Sequence, residues 1–302
     1  MLTAALAAVV AAAFFAVASA FQHRSAGLVA GALRRTRLVA FFCAMLRQPL
    51  WIIGSFAAIV GAVLHAVALR DGPLTLVQPL LVTSVVFALP LRAWLEGHKP
   101  RRAEVGWAVA LTLGLAFFFA IAVPGDATAQ ASDAGPTIVA AALIAPGIIV
   151  CTILGRRASG GRAASLLAAA AALAFAAGAG LLKEVMGLLN EGIMVVGSHW
   201  PVYALVVIAV VGLVLNQLAY SAGPLSSSLP VLSTVDPVVS LIIGVAVFDE
   251  PFRNSPLDLL GESVGLAIVL LAAVRLTQSR SPAALPTNKT KIEAVGSGPV
   301  LP

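Results

Sequence analysis

Charged side chains are what this sequence has least of. Only 11% of its 302 residues are Asp, Glu, Lys or Arg, under half of the roughly 25% found in an ordinary soluble domain, so the chain cannot cover a water-facing surface. Two cysteines, Cys43 and Cys151, exclude a disulfide-rich secreted scaffold, and their spacing is not that of a metal site. Glycine and proline, at 26 and 18 residues, are too sparse for a collagen-like or low-complexity chain. The sequence also lacks a Gly-x-Ser-x-Gly elbow, a phosphate loop, a zinc-ligand cluster and a dinucleotide fingerprint. It therefore reads as neither an enzyme nor a cofactor protein.

What is abundant is apolar sequence: 60% of residues are hydrophobic and the mean hydropathy is +1.01. A helix needs about 20 mostly apolar residues to cross a bilayer core. Nine runs meet this, at about 2–21, 50–69, 73–95, 104–123, 136–154, 163–189, 201–220, 224–248 and 258–276. None alternates polar and apolar positions as the strands of a membrane barrel do. The expected fold class is an all-α integral membrane protein of nine helices. The stretch 28–49 has a short apolar core flanked by arginines and reads as an interfacial segment; as a tenth span it would reverse the N terminus.

The net charge of +6 would suggest a nucleic-acid partner in a soluble protein, but in a membrane protein the loop positions of Lys and Arg set orientation instead. Arg24, Arg34, Arg35, Arg37 and Arg47 follow the first run. Arg92, Lys99, Arg101 and Arg102 precede the fourth, and Arg156, Arg157 and Arg162 precede the sixth. The intervening segments 124–135 and 249–258 are net acidic. Nine spans with the N terminus outside the cytoplasmic membrane place every basic cluster, and a disordered tail at 277–302, on the cytoplasmic side. The first run, which no basic residue precedes, reads as an N-out anchor and not as a signal peptide ending at Ala18-Ser19-Ala20.

The chain also repeats itself. A shift of 151 positions aligns residues 58–83 with 209–234 at 12 of 26 identical positions without a gap, including Gly72-Pro73-Leu74 on Gly223-Pro224-Leu225 and Pro79 on Pro230; further on, Gly114 falls on Gly265. Shared Ala, Val and Leu content does not produce matched Gly-Pro-Leu turns. In the charge-based topology the run 50–69 and its partner 201–220 cross in opposite directions. The expected architecture is thus two inverted repeat halves, residues 1–123 and 136–276, with the segment 28–49 standing in the place of a span that the first half lacks.

Residues 223–237 (Gly-Pro-Leu-Ser-Ser-Ser-Leu-Pro-Val-Leu-Ser-Thr-Val-Asp-Pro), Gly244, Phe248-Asp249-Glu250-Pro251, Gly261 and Gly265 resemble the drug/metabolite transporter superfamily in its EamA-like form. Pro49-Leu50-Trp51 through Pro79-Leu80 to Leu95-Glu96 is similar to the NIPA-like magnesium-transporter branch. The resemblance implies a secondary transporter that moves a small-molecule substrate across the cell membrane by alternating access, with magnesium or another divalent cation as the alternative cargo. A non-transporting membrane scaffold subunit is the third reading. Partners expected are the lipid bilayer, a coupling proton and, as one admissible assembly, a second copy in a homodimer.

Ionised groups inside the hydrocarbon cost at least about 2.5–3.5 kcal/mol at a helix centre, so each needs a reason. Asp236 stands mid-span before Pro237, which frees a backbone carbonyl, and suits a coupling proton or a cationic substrate group; under the cation alternative it would also be the metal ligand. Lys183 matches a position where the resembled family often carries a lysine, implying a pathway role or an ion pair with Asp236. His65, Gln78, Asn216 and Gln217 are the expected polar liners of the pathway, each weighed against an ordinary helix-to-helix hydrogen bond. Pro79, Pro230 and Pro237 are expected to mark helix breaks. Glu184, Asp249 and Glu250 read as interfacial.

Overall fold

The computed structural model describes residues 1–32, 43–96, 99, 101–121, 134–223, 225–250 and 256–278. Among them every regular element is helical: α1 (Leu2–Ala32), α2 (Pro49–Asp71), α3 (Leu74–Leu81), α4 (Ser84–Glu96), α5 (Arg102–Ile121), α6 (Ala134–Arg157), α7 (Gly160–Glu191), α8 (Ile193–Ser198), α9 (Trp200–Ala222), α10 (Leu225–Phe248) and α11 (Pro256–Gln278). Seven of the described helices are long and apolar enough to cross a membrane: α1, α2, α6, α7, α9, α10 and α11. Their outward faces carry Leu, Ile, Val and Phe, as a lipid-facing surface requires. The described residues form an all-helical, multi-pass membrane protein.

The run expected at 73–95 is not one helix. It divides into α3 and α4 at Val82 and Thr83, and Pro79, expected to mark a break, lies inside α3 three residues before it. The carbonyls of Pro79 and Leu80 instead accept the tighter three-residue bonds from Val82 N–H and Thr83 N–H, and Thr83 Oγ1 also donates to Leu80 O at 2.6 Å. Pro230 and Pro237 break nothing, since α10 runs through both. Ser233 Oγ and Thr234 Oγ1 donate to carbonyls one turn back, at Leu229 and Pro230, and the helix packs against α3 and α7. Of the stretch 28–49, residues 28–32 continue α1, and 33–42 lie outside the described residues, as does the tail from 279.

Glycines set the helix contacts, because a missing Cβ lets two backbones approach. A Cβ at Gly54 would lie 3.2 Å from Gln22, one at Gly61 2.9 Å from the Phe15 ring, and one at Gly72 2.7 Å from Ala4. Together these run α1 and α2 antiparallel. The same arrangement joins α7 to α9, where Gly212 faces the Phe175 ring at 2.8 Å and Gly178 faces Ile208. Between α5 and α11 a Cβ at Gly114 would meet Ile268 and Val269, and one at Gly265 would meet the Phe118 backbone at 2.9 Å. α7 and α10 run parallel, with Gly161 against Ser227 at one end and Gly180 against Ile243 at the other. Gly265→Val is therefore expected to destabilise the protein by about 1–3 kcal/mol through overpacking, read as a lowered thermal midpoint in detergent. A midpoint equal to the parent's would refute the close α5–α11 contact.

Candidate functional site

The polar residues fall into layers along the bundle. At one end, where α2 and α7 finish and α3 begins, Glu250 closes a buried cluster. Asp249 takes a left-handed backbone (φ 50°), a conformation that Asp tolerates better than most residues, so the chain turns sharply after α10. Glu250 N–H then donates back to Gly244 O at 3.1 Å. The carboxylate folds over Gly244, where a Cβ would stand 2.6 Å from Glu250 Oε2 and 3.2 Å from Leu74.

That carboxylate does the work of a helix cap. The N-cap position of α3 is Pro73, which offers no capping side chain. Glu250 Oε1 accepts from Leu74 N–H at 2.7 Å and Oε2 from Thr75 N–H at 2.8 Å, satisfying amides that a helix start leaves unpaired, at its positive end. Oε1 also forms an ion pair with Lys183 Nζ of α7. Lys183 and Glu250 are 1% and 2% exposed, so neither charge is shared with solvent. The Phe248 ring lies 4.8 Å from the ammonium and adds a cation–π contact. Nearby, Arg70 Nε donates to Asn190 Oδ1 at 3.1 Å, tying the end of α2 to the end of α7.

The ion pair therefore differs from the expected one with Asp236. Glu250, read in the sequence as interfacial, is the partner of Lys183. The reason is register: Asp236 lies two turns below Gly244 on α10, about 12 Å along the axis at 1.5 Å per residue.

Below this cluster, Gln78 of α3 is buried, and its Nε2 lies 3.5 Å from His65 Nε2 of α2. The His65 ring in turn meets Phe15 of α1 edge-on. Asp236 comes next, midway along α10 and half-buried, and Ser240 Oγ donates to its Oδ1 at 3.3 Å. No basic side chain pairs with Asp236 among the described residues. Asp236, Ser240 and Gly244 recur every four residues and so share the face of α10 that Gly244 sets against Leu74 of α3. Pro237 is buried beside them.

Gln217 does not join this group. It is fully buried on α9, and its Nε2 donates to Gln22 Oε1 of α1 at 2.9 Å, with Asn216, Tyr220 and the edge-on His23 ring nearby in sequence or space. Gln22 faces Gly54, eleven residues and about 16 Å down α2 from His65. The liners expected around one cavity thus form two layers with Asp236 between them. At the lower end, Ser165 Oγ of α7 donates to Ser227 O of α10 at 2.8 Å, so α7 grips both ends of α10. Gln217→Leu strands a buried Gln22 carbonyl and should cost about 1–3 kcal/mol, while Gln22→Leu/Gln217→Leu should come closer to neutral. Thermal unfolding of the three variants checks this, and equal losses in the single and double variants would contradict a mutual bond.

Among the described residues, no three His, Cys, Asp or Glu side chains come together as a metal site would require. The cluster missed by sequence reasoning is Glu250 with the start of α3. Its signal was the pairing of an Asp-Glu after an apolar span with an uncapped Gly72-Pro73 turn, and only the fold says that the two meet.

An uncharacterized protein of Corynebacterium glutamicum is 27% identical over 237 residues, covering 78% of this chain and 81% of the relative. No family model matches the chain, and no solved structure matches it.

Proposed function

We propose that the protein is a secondary transporter that carries a small molecule across the cytoplasmic membrane by alternating access, with Asp236 at its centre. The observation that carries this reading is the placement of Asp236: a half-buried carboxylate midway along α10, without a basic partner among the described residues, between two closed polar layers. A purely structural acid at such depth is expected to be paired or fully buried, because ionised groups in the membrane are costly unless they face a pathway or a partner.

Reading the fold as two inverted repeat halves supports the proposal. Gly61 packs on Phe15 as Gly212 packs on Phe175, and Gly72 and Gly223 each press on the start of the helix before their pair, at Ala4 and Gly160. The contacts of Gly114 with Val269 and of Gly265 with Phe118 are reciprocal, since positions 114 and 118 fall on 265 and 269 under the shift of 151. In this scheme α1 corresponds to α7, and α6 has no counterpart among the described helices of the first half. Alternating helix directions, taken with the loop charges of the sequence, favour an N terminus outside and a C terminus in the cytoplasm. The resemblance to EamA-like drug/metabolite transporters points the same way.

The cycle follows from the clasp. In this conformation Glu250 joins α3 of the first half to α7 of the second, and the Gln22–Gln217 bond joins α1 to α9. Release at the upper layer opens Asp236 to the outside, and release at the lower layer opens it to the cytoplasm. The eight-residue α3, separated from α4 by the bend at Val82 and Thr83, is short enough to move as one piece. A thermal-shift screen of purified protein against metabolites, drugs and divalent ions would identify the ligand, followed by uptake in proteoliposomes. Absence of any ligand-dependent stabilisation, together with full tolerance of Asp236→Asn and Lys183→Met in the native host, would favour a scaffold role instead.

A further inference from the structure

A second polar group lies away from this pathway, on another face of α7. Between α6, α7, α9 and α10 the structure encloses a cavity of about 420 Å³, within the range of roughly 300–1,000 Å³ typical of small-molecule sites. Its walls are apolar, and the only polar side chain on α6 that lines it is Thr137. Ala177, Gly180 and Leu181 form the α7 wall, and Trp200 and Tyr203 of α9 stand at its rim. Trp200 and Tyr203 are exposed, so the cavity opens sideways, where the bilayer surrounds the bundle. Tyr203 Oη is already engaged, donating to Gly197 O at 2.7 Å.

Glu184 extends the α7 wall by one turn beyond Gly180 and two beyond Ala177, a spacing that keeps all three on one helix face. Its carboxylate lies close to the Thr137 hydroxyl. Glu184 Oε2 and Thr137 Oγ1 are both buried, and apart from each other neither has a polar neighbour at hydrogen-bond distance among the described residues. A partly buried carboxylate without a counter-charge is costly, and none of the cavity's lining residues is basic. Lys183 is adjacent in sequence but points about 100° away around the helix and is committed to Glu250.

We infer that this cavity is a lateral binding site for an amphiphilic amine, whose apolar body fills the space between α6, α7 and α9 and whose ammonium donates to Glu184 and Thr137. An ammonium brings the opposite charge and three donors, enough for both oxygens. A hydroxyl brings one donor and no charge, and a carboxylate would be repelled. The site is separate from Asp236 and does not depend on the transport reading.

The test uses the protein in lipid nanodiscs and three ω-brominated alkyl probes of equal length that end in an amine, an alcohol or a carboxylic acid. Bromine quenches tryptophan on contact, and the Trp200 signal is taken as the difference between the parent protein and Trp200→Phe. The amine should quench Trp200 saturably, with an apparent affinity about tenfold or more above that of the alcohol, a difference worth about 1.4 kcal/mol. Glu184→Gln should erase that preference, Thr137→Val should reduce it, and Ala177→Leu, which fills the cavity, should abolish quenching by all three. Equal quenching by the three probes, or an amine preference that survives Glu184→Gln, would overturn the inference and leave an apolar groove occupied by lipid chains. Should Glu184→Gln fail to fold, the amine-to-alcohol ratio in the parent protein decides alone.

Discussion

Glu250→Ala is expected to lower the thermal midpoint more than the removal of any other polar side chain described here. One substitution removes the acceptor of the Leu74 and Thr75 amides and leaves the Lys183 ammonium buried without a counter-charge. Removing one member of a buried ion pair costs about 3–5 kcal/mol, mostly because the stranded partner stays out of water. Lys183→Met should cost less, since Glu250 keeps its two backbone donors. In Lys183→Met/Glu250→Gln both charges are gone, while the Gln carbonyl can still accept from the start of α3, so that pair should recover much of the loss. Thermal unfolding in detergent gives the cycle, and amide hydrogen exchange over residues 74–77 supplies a local readout. Exchange there should accelerate in Glu250→Ala alone among the three. An unchanged midpoint with unchanged exchange would show that the clasp does not hold α3.

Substitution of the central acid is expected to act on function and not on folding. Asp236→Asn preserves shape and can still accept from Ser240, so the folded protein should persist with a midpoint close to the parent's. Transport of a ligand identified by the thermal-shift screen should fall by about tenfold or more, in line with the loss of a charged contact in a low-dielectric site. An imposed pH gradient that accelerates uptake by the parent should have no effect on the variant, because no proton can be exchanged at an amide. Uptake by Asp236→Asn that equals the parent's and still responds to the gradient would remove Asp236 from the mechanism. Gly244→Ala offers a milder companion: its Cβ would push against Glu250 Oε2, so it should loosen the upper layer while leaving Asp236 in place.

Hydrophobicity is a local property, and the membrane class that depends on it was legible in the chain. Long apolar runs identified the membrane class and located the long helices. Asp236 was legible as well, since a carboxylate within an apolar run is conspicuous in one dimension.

Pairing depends on which helices lie side by side, and this the tertiary structure decided. Lys183 meets Glu250, 67 residues away, and not Asp236, because the turn at Asp249 folds the chain back over Gly244 and delivers a carboxylate to a helix start that has no cap of its own. The single run at 73–95 became two helices because bonds around Val82 and Thr83 outweighed its uniform hydropathy. Gln217 left the expected cavity for a bond to Gln22 across α1 and α9. In each case composition specified that a polar group lay in an apolar segment, and only the packing of neighbouring helices specified what satisfied it, because a buried charge or amide is settled by the nearest donor or acceptor in space.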